Sequence, residues 1–560
     1  MFFRFVISLI LLAAAPSILA EVRSCVIDGG GTPEQRFCGL AQFTSRMHGM
    51  YEEFSQTRTG ARALSGSYYS ENIFTGDGVN PAGDCHVPVN KTCAGHSGTC
   101  TEAAPPPERY TFNTTVGLAN DRSHVYPASY NDVTSHCLNG SSANDVCHFY
   151  SINHGTLASP GDIPSDQTDY QAMDARITLY VPPGSNSSHT DLNTTQLRSV
   201  MDQSGCGTQR FILNNCHSGG MMKMLFDHNG RLIPNRCGTA AAAYHQSARG
   251  SATAPVPMTF SNGTQIRIKL NKYDYSEAMF RNLKLGARRL REAPDRYTPY
   301  TASLDDAHLY ALMSDSTTET PQMSSDFYFD RYYAGRLTNP VGLREINDQI
   351  RIQTETAQTY QCFGSNVLGQ TYTMLDRLDR TVSGVLNALP GTSTRTIQMT
   401  AQGFSNEQIT DINNDIALAQ EHLDILTSNL CTSYFRPADA SLGMSGDCPT
   451  SQAEQRTYIN QYYQKFRTRR KKAIAEYQKC IKRNGGYSVG CRFEEAKVLR
   501  VLGEDRYTRR YEGMLNKLGR TLEFYQKAPK NKIEEYLSLR RCETSAYDQP
   551  PASSIQVPPS

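Results

Sequence analysis

Between Asp145 and Leu225 the apolar residues come in short runs. Val146-Cys147-His148-Phe149-Tyr150-Ser151-Ile152 ends at Asn153-His154-Gly155, and Phe211-Ile212-Leu213 leads into Asn214-Asn215-Cys216. Runs of this length and composition suit buried strands, and a further strand is expected over Arg176 to Val181. Between them, Asp191 to Gln203 carries Leu192, Leu197 and Val200 at helical spacing. Strand, helix, strand in that order is the grammar of a parallel α/β sheet. Met221 to Phe226 and Ser276 to Leu285 read as further helices.

Beyond residue 300 the pattern turns helical. Over Ser405 to Cys431, Ser405 and Gln408 fit a capping box and Phe404 and Ile409 a hydrophobic staple, while Ile409, Ile412, Ile416, Ala419, Leu423, Leu426 and Leu430 form one apolar stripe. Ile459, Tyr463, Phe466, Ala473, Tyr477 and Cys480 give a second stripe. It is followed by the turn Asn484-Gly485-Gly486 and a helical pattern over Phe493 to Leu502. Cys480 and Cys491 flank that turn and are placed to staple a hairpin. By contrast, residues 21 to 145 are rich in Cys, Gly, Ser and Thr with a cluster at Pro105-Pro106-Pro107, and read as irregular. Pro550, Pro551, Pro558 and Pro559 mark residues 546 to 560 as a disordered tail.

Composition adds a compartment. Arg4, the uncharged run Phe5 to Ala15 and the small residues ending at Ala20 have the layout of a secretory signal peptide, with cleavage expected before Glu21. Pro16 and Ser17 break the run short of the roughly 20 residues a bilayer span needs, and no later segment is apolar enough to span. Sixteen cysteines fit a secreted or periplasmic chain in which most thiols pair. Cys85, His86, Cys93, His96 and Cys100 are zinc-ligand types, but export and irregular spacing favour disulfides. The triplets at Asn90, Asn113, Asn139, Asn186, Asn193 and Asn262 are compatible with a secreted surface. Net charge is only +2, yet residues 452 to 541 hold 23 Lys and Arg against 10 Asp and Glu, leaving 33 against 44 elsewhere. A mildly acidic body therefore carries a basic C-terminal segment. Three readings stand for it: a solvated helical face, docking onto the body, or contact with an anionic surface or nucleic acid.

The candidate chemistry sits at the ends of two strands. A cysteine nucleophile needs an imidazole to manage protons, backbone N–H groups to hold an oxyanion, and a small-residue turn for access. Asn215-Cys216-His217-Ser218-Gly219-Gly220 supplies nucleophile and turn just after a strand, and His154-Gly155 ends another. Both fall at carboxyl ends of strands, where parallel sheets bind ligands. For Cys216 the plain alternative is one more disulfide half; for His154 it is a turn histidine.

Phe149 through Gly155, Phe211 through Met221 and Thr239 to Ser247 together resemble the clan of cysteine peptidases that includes caspases, metacaspases and legumains. The likeness covers about residues 145 to 285. It implies a caspase-like α/β fold with Cys216 attacking the scissile carbonyl, His154 protonating the leaving amine, and the N–H groups of Gly155 and Cys216 as oxyanion hole. It also implies that Gly238 to Tyr244 is a strand despite its alanines, with Tyr244 and His245 beside the substrate and its small side chains leaving room for a peptide backbone. Asn214, two before the nucleophile, stands where metacaspases are acidic, so Lys or Arg specificity does not carry over.

The expected organisation is a signal peptide (1–20), a Cys-rich segment (21–140), a caspase-like core (141–300), a connecting region (301–400), a basic helical domain (401–545) and the tail (546–560). The function expected is a secreted thiol endopeptidase, made as a zymogen, acting on protein or peptide substrates without cofactor or metal. Docking of its basic C-terminal helices on the body, which the prodomain of legumains parallels, stays one of the three readings, and nucleic acid is not an expected partner. Transpeptidation by the same dyad and a non-catalytic binding protein are the alternatives.

Overall fold

The computed structural model describes residues 22–29, 69–75, 124–157, 175–179, 191–244, 248, 256–259, 265–268, 275–314, 321–334, 403–433, 448–484 and 506–558, with parts of 47–54, 85–110 and 491–497. The signal-peptide expectation, residues 301–400 beyond 334, and His245 lie outside them.

The two apolar runs are strands at the centre of a seven-stranded sheet. Its strands are β1 (Val22–Gly29), β2 (Tyr69–Thr75), β3 (His124–Pro127), β4 (Val146–Asn153), β5 (Thr208–Asn215), β6 (Arg236–Ala240) and β7 (Gln322–Met323). They lie side by side in the order β7-β6-β5-β4-β1-β2-β3. Every neighbouring pair is parallel except β6 with β7. Phe149, Tyr150, Phe211, Ile212 and Leu213 are 0% exposed. A central parallel strand is covered on both faces, which is why β4 and β5 lack a polar alternation. Each such side chain contributes about 1.5–3 kcal/mol through burial.

Helices cover the sheet: α1 (Tyr130–His136), α2 (Thr194–Gln203), α3 (Tyr275–Glu292), α4 (Leu304–Ser314), α5 (Ser324–Ala334), α6 (Asn406–Ser433), α7 (Gln452–Arg483), α8 (Arg506–Lys527) and α9 (Lys530–Thr544). α2 is capped by Asn193 with a full capping box to Gln196 and starts at Thr194, three residues later than the apolar spacing indicates. α6 begins as its sequence dictates: Gln408 N–H donates to Ser405 Oγ (3.2 Å), and Ser405 N–H to Gln408 Oε1 (3.0 Å).

Four expectations change. First, the N-terminal segment is not uniformly irregular: Val22–Gly29 is a central strand, with Cys25, Val26 and Ile27 fully buried. Second, the strand expected over Arg176 to Val181 is Ala175–Thr178 and belongs to a separate antiparallel sheet with Gly155–Leu157 and Asp191–Asn193. Third, the helix expected over Met221 to Phe226 is of 3₁₀ type and begins earlier, over Ser218–Leu225.

Fourth, the tail is ordered. Tyr547 and Ile555 are buried at 0% and 2% exposure. Prolines carry no N–H, so an extended proline-rich segment has few donors to satisfy, and those present find partners: Ile555 N–H donates to Asp411 (2.7 Å) and Ala552 N–H to Ser545 Oγ (2.7 Å). Arg210 on β5, 0% exposed, donates to the carbonyls of Cys542, Ala546, Tyr547 and Gln549. The Tyr547 ring stacks on His148 of β4, centroids 4.1 Å apart.

The C-terminal helices and the sheet share one core. Disulfides join Cys25 to Cys137, Cys147 to Cys206, Cys237 to Cys542, and Cys480 to Cys491. The third ties β6 to α9 across 305 residues of sequence. Arg540 on α9, 2% exposed, bridges Asp305 of α4 (2.8 Å) and Asp415 of α6 (2.6 Å). Burial pushes the Asp305 carboxyl up, but Arg540, His422 and Lys517 outweigh it and hold it well below the carboxylate range. A buried ion is tolerated only with such partners. The basic segment thus meets the body through buried, specific contacts as well as surface charge.

Candidate active site

Parallel pairing of β4 with β5 sets Asn153 opposite Asn215. His154 and Cys216 are the next residues, so they leave two adjacent strands at the same level of the carboxyl rim. His154 is exposed and its carbonyl accepts from Thr178 N–H at 3.2 Å. With Ile177 opposite Gly155 in that antiparallel ladder, this bond makes Ile177 and Gly155 a pair that exchanges no hydrogen bonds, leaving the Gly155 N–H unused by the ladder. Gly155 must be glycine: a Cβ there would overlap the Cys216 carbonyl oxygen and lie 2.6 Å from Asn215 Nδ2.

Cys216 is the free thiol among the described cysteines and is half-buried. Its Sγ donates to the Ala248 carbonyl at 3.7 Å. The next residue, His217, has φ 60° and ψ 15°, a left-handed conformation that costs a non-glycine residue about 1 kcal/mol or more. Its Nδ1–H donates to the Tyr244 carbonyl at 2.8 Å, and Gly220 N–H donates to the His217 carbonyl at 2.9 Å. Those bonds hold the sharp turn from β5 into the 3₁₀ helix. Burial lowers the His217 pKa, partly offset by the bond to Tyr244.

The glycines of the motif have a different occupant from the one expected. Gly219 N–H donates to the Ala242 carbonyl at 2.8 Å, and Ala242 N–H donates to Ser218 Oγ at 3.2 Å. A Cβ on Gly219 would sit 2.6 Å from Tyr244 N, and one on Gly220 2.6 Å from the Tyr244 ring. The Ser-Gly-Gly turn therefore accommodates residues 242–244 of the chain itself. The strand expected over Gly238 to Tyr244 is Arg236–Ala240, and at Thr239 and Ala240 it is paired on both edges, with β5 and β7. No edge is open there for a peptide, and Ala241, Ala242 and Ala243 are buried. Alanine supplies the small volume this fold-back needs.

Of the other expected residues, Tyr244 is 6% exposed over Gly220. Asn214 is half-buried, its Nδ2 donating to Ser276 Oγ at 2.7 Å on the first turn of α3. Two residues were missed. Asn215, 0% exposed, accepts from Ser151 Oγ at 2.6 Å and donates to the Cys216 carbonyl at 3.2 Å. Ser151 interrupting the β4 run and the doubled Asn ending β5 were the available signals, since a buried polar group needs a partner. Cys85, Cys93 and Cys100 lie in short strand pairs whose side chains are outside the description. No helix among the described residues is long and apolar enough to cross a membrane.

No protein-family model matches the chain, and no curated protein matches it.

Proposed function

We propose that the chain is an exported cysteine endopeptidase of the caspase and legumain type. The observation that carries this reading is a free thiol and a His-Gly pair leaving two hydrogen-bonded parallel strands in register, at the rim where such sheets bind ligands. The parallel sheet with β1 between β2 and β4 is compatible with the fold this resemblance implies, and four disulfides suit an oxidising compartment. In this reading Cys216 Sγ attacks the carbonyl carbon of the scissile bond. The oxyanion is held by the N–H groups of Gly155 and Cys216, His154 gives a proton to the leaving amine, and water then hydrolyses the thioester. Asn215 is a positioning residue, fixing the Cys216 carbonyl on which Gly155 packs.

The test is labelling of the full chain with a peptidyl electrophile, followed by cleavage profiling on a peptide library. Labelling and cleavage by wild type, both lost in Cys216→Ala, support the proposal. Labelling without turnover favours a non-catalytic binding protein, and products joined to an added peptide amine favour transpeptidation. Removing residues 401 to 560 is not a usable test, because it strips Cys542, Arg540 and Tyr547 from the core.

A further inference from the structure

We infer that the disulfide-stapled end of α7 is a docking surface for an anionic lipid bilayer. α7 carries ten Lys and Arg against two Glu. Its apolar side is covered: Tyr462, Phe466, Ala473, Ile474 and Tyr477 are buried. Lys472, Lys479, Lys482 and Arg483 are exposed and form no ion pair among the described residues. Residues seven apart, and those three or four beyond them, share one helix face, so these cations form a stripe that ends at the hairpin. On the neighbouring α6, Asp411 and Asp415 are engaged by Arg541 and Arg540 of α9.

A second, independent feature sits at the same place. The Cys480–Cys491 bridge holds those Cα atoms 5.8 Å apart, and Asn484 Nδ2 lies 3.4 and 3.1 Å from the two sulfurs. Phe493, two residues beyond the bridge, is 69% exposed; the other exposed large hydrophobic described is Leu285, at 36%. Chain geometry puts the Phe493 ring within about 20 Å of Lys479, Lys482 and Arg483. Lys497 Nζ lies 4.7 Å from the ring centre and is tethered to Glu476 at 3.2 Å. The tip therefore sets a presented aromatic ring beside Lys497 and within reach of the α7 cations, with Glu476 and Glu494 as the acids described there.

That pairing discriminates among anionic partners. A linear polyanion would take up the cations and leave Phe493 in water, and a single ring is no stacking platform for successive bases. A bilayer interface takes both, headgroups meeting the cations and the acyl boundary meeting the ring. One ring and a few cations give reversible attachment.

The experiment is co-sedimentation of the full chain with vesicles of phosphatidylcholine alone and with 30% phosphatidylserine, at about 0.1 M salt. Binding is expected to the mixed vesicles only. Cations near such a surface each contribute about fivefold, so Lys479→Glu/Lys482→Glu/Arg483→Glu should lower the partition coefficient by more than about 100-fold. Phe493→Ser should lower it about fivefold to tenfold, while leaving retention on immobilised heparin unchanged. Thermal unfolding of each variant checks that the fold is kept, and the exposed sites make loss of fold unexpected. No binding to mixed vesicles, equal binding to both vesicle types, or Phe493→Ser binding as wild type does would each overturn the inference. None of these readings depends on peptidase activity.

Discussion

Replacing Arg210 by Met keeps a long apolar stem on β5 and removes the guanidinium that pins the C-terminal segment. Four carbonyls lose a donor, from Cys542, Ala546, Tyr547 and Gln549. They are not equally exposed to the loss. The Ala546 carbonyl keeps Gln549 N–H at 3.0 Å, and the Tyr547 carbonyl keeps His148 Nε2–H at 2.9 Å. The cost therefore concentrates on Gln549 and Cys542. A buried carbonyl left without its donor costs about 1–3 kcal/mol, so the buried Cys542 carbonyl and the half-buried Gln549 carbonyl together amount to about 2–4 kcal/mol. Against a typical stability of about 5–15 kcal/mol this is a large fraction. Urea unfolding followed by circular dichroism, under conditions that keep Cys237–Cys542 oxidised, measures it. Limited chymotrypsin digestion gives a local readout: Tyr547, fully buried in wild type, should become a cleavage site, releasing residues 548–560 by mass spectrometry. An Arg210→Met protein within about 1 kcal/mol of wild type, with Tyr547 still protected, would refute the reasoning.

Two further outcomes follow from the same contacts. His148 is fully buried and its pKa is lowered to about 3, by burial first and by Arg210 second. Its folded pKa lies below its unfolded value near 6.5, so its contribution is intact above pH 6.5 and is lost as pH falls from there toward 3, at up to about 1.4 kcal/mol per unit. His148→Gln can keep an acceptor for Tyr51 and a donor for Tyr547 without titrating; the wild-type and variant unfolding curves should diverge only below pH 6.5, and identical slopes between pH 4 and 6 would count against it. Gly155→Ala should fold with a penalty of about 1–3 kcal/mol from the overlap with the Cys216 carbonyl and lose activity by about 100-fold through displacement of the rim; wild-type turnover in a folded Gly155→Ala protein would show that this approach is not tight.

How much of this was legible in sequence depended on how local the signal was. β4, β5 and the start of α6 follow from residues within one element: an unbroken apolar run, or Ser405 with Gln408. β1 did not, because Val22-Arg23-Ser24-Cys25-Val26-Ile27 alternates imperfectly and its charges have distant partners. Arg23 pairs with Asp145 at 3.1 Å, and Ser24 bonds Tyr51. The tail was misread for a similar reason. Composition weighs its prolines, whereas its order comes from Tyr547 meeting His148 and Arg210, hundreds of residues earlier in the chain. At the candidate site, order and spacing put Cys216 and His154 at strand ends, which the fold makes neighbours, but the placement of the glycines did not follow from sequence: only the fold brings Ala242 and Tyr244 against them.

The position of α9 also changes where control of Cys216 is to be sought. A C-terminal restraint that cleavage could lift must be separable from the seven-stranded sheet, and α9 is not: it is bonded to β6 through Cys237–Cys542 and held by Arg210 and Arg540 in the common core. The contact that does reach the sulfur comes from nearby, the Ala248 carbonyl at 3.7 Å. That acceptor is main chain, so no side-chain change at position 248 removes it; rotation of the Cys216 side chain or movement of the Ala248 carbonyl does. Tyr244 in turn is held by His217, the residue beside Cys216. The turn that carries Cys216 and residues 242–244 are thus bonded into one unit. The labelling rate of Cys216 therefore reports motion of that unit together with the chemistry of the thiol.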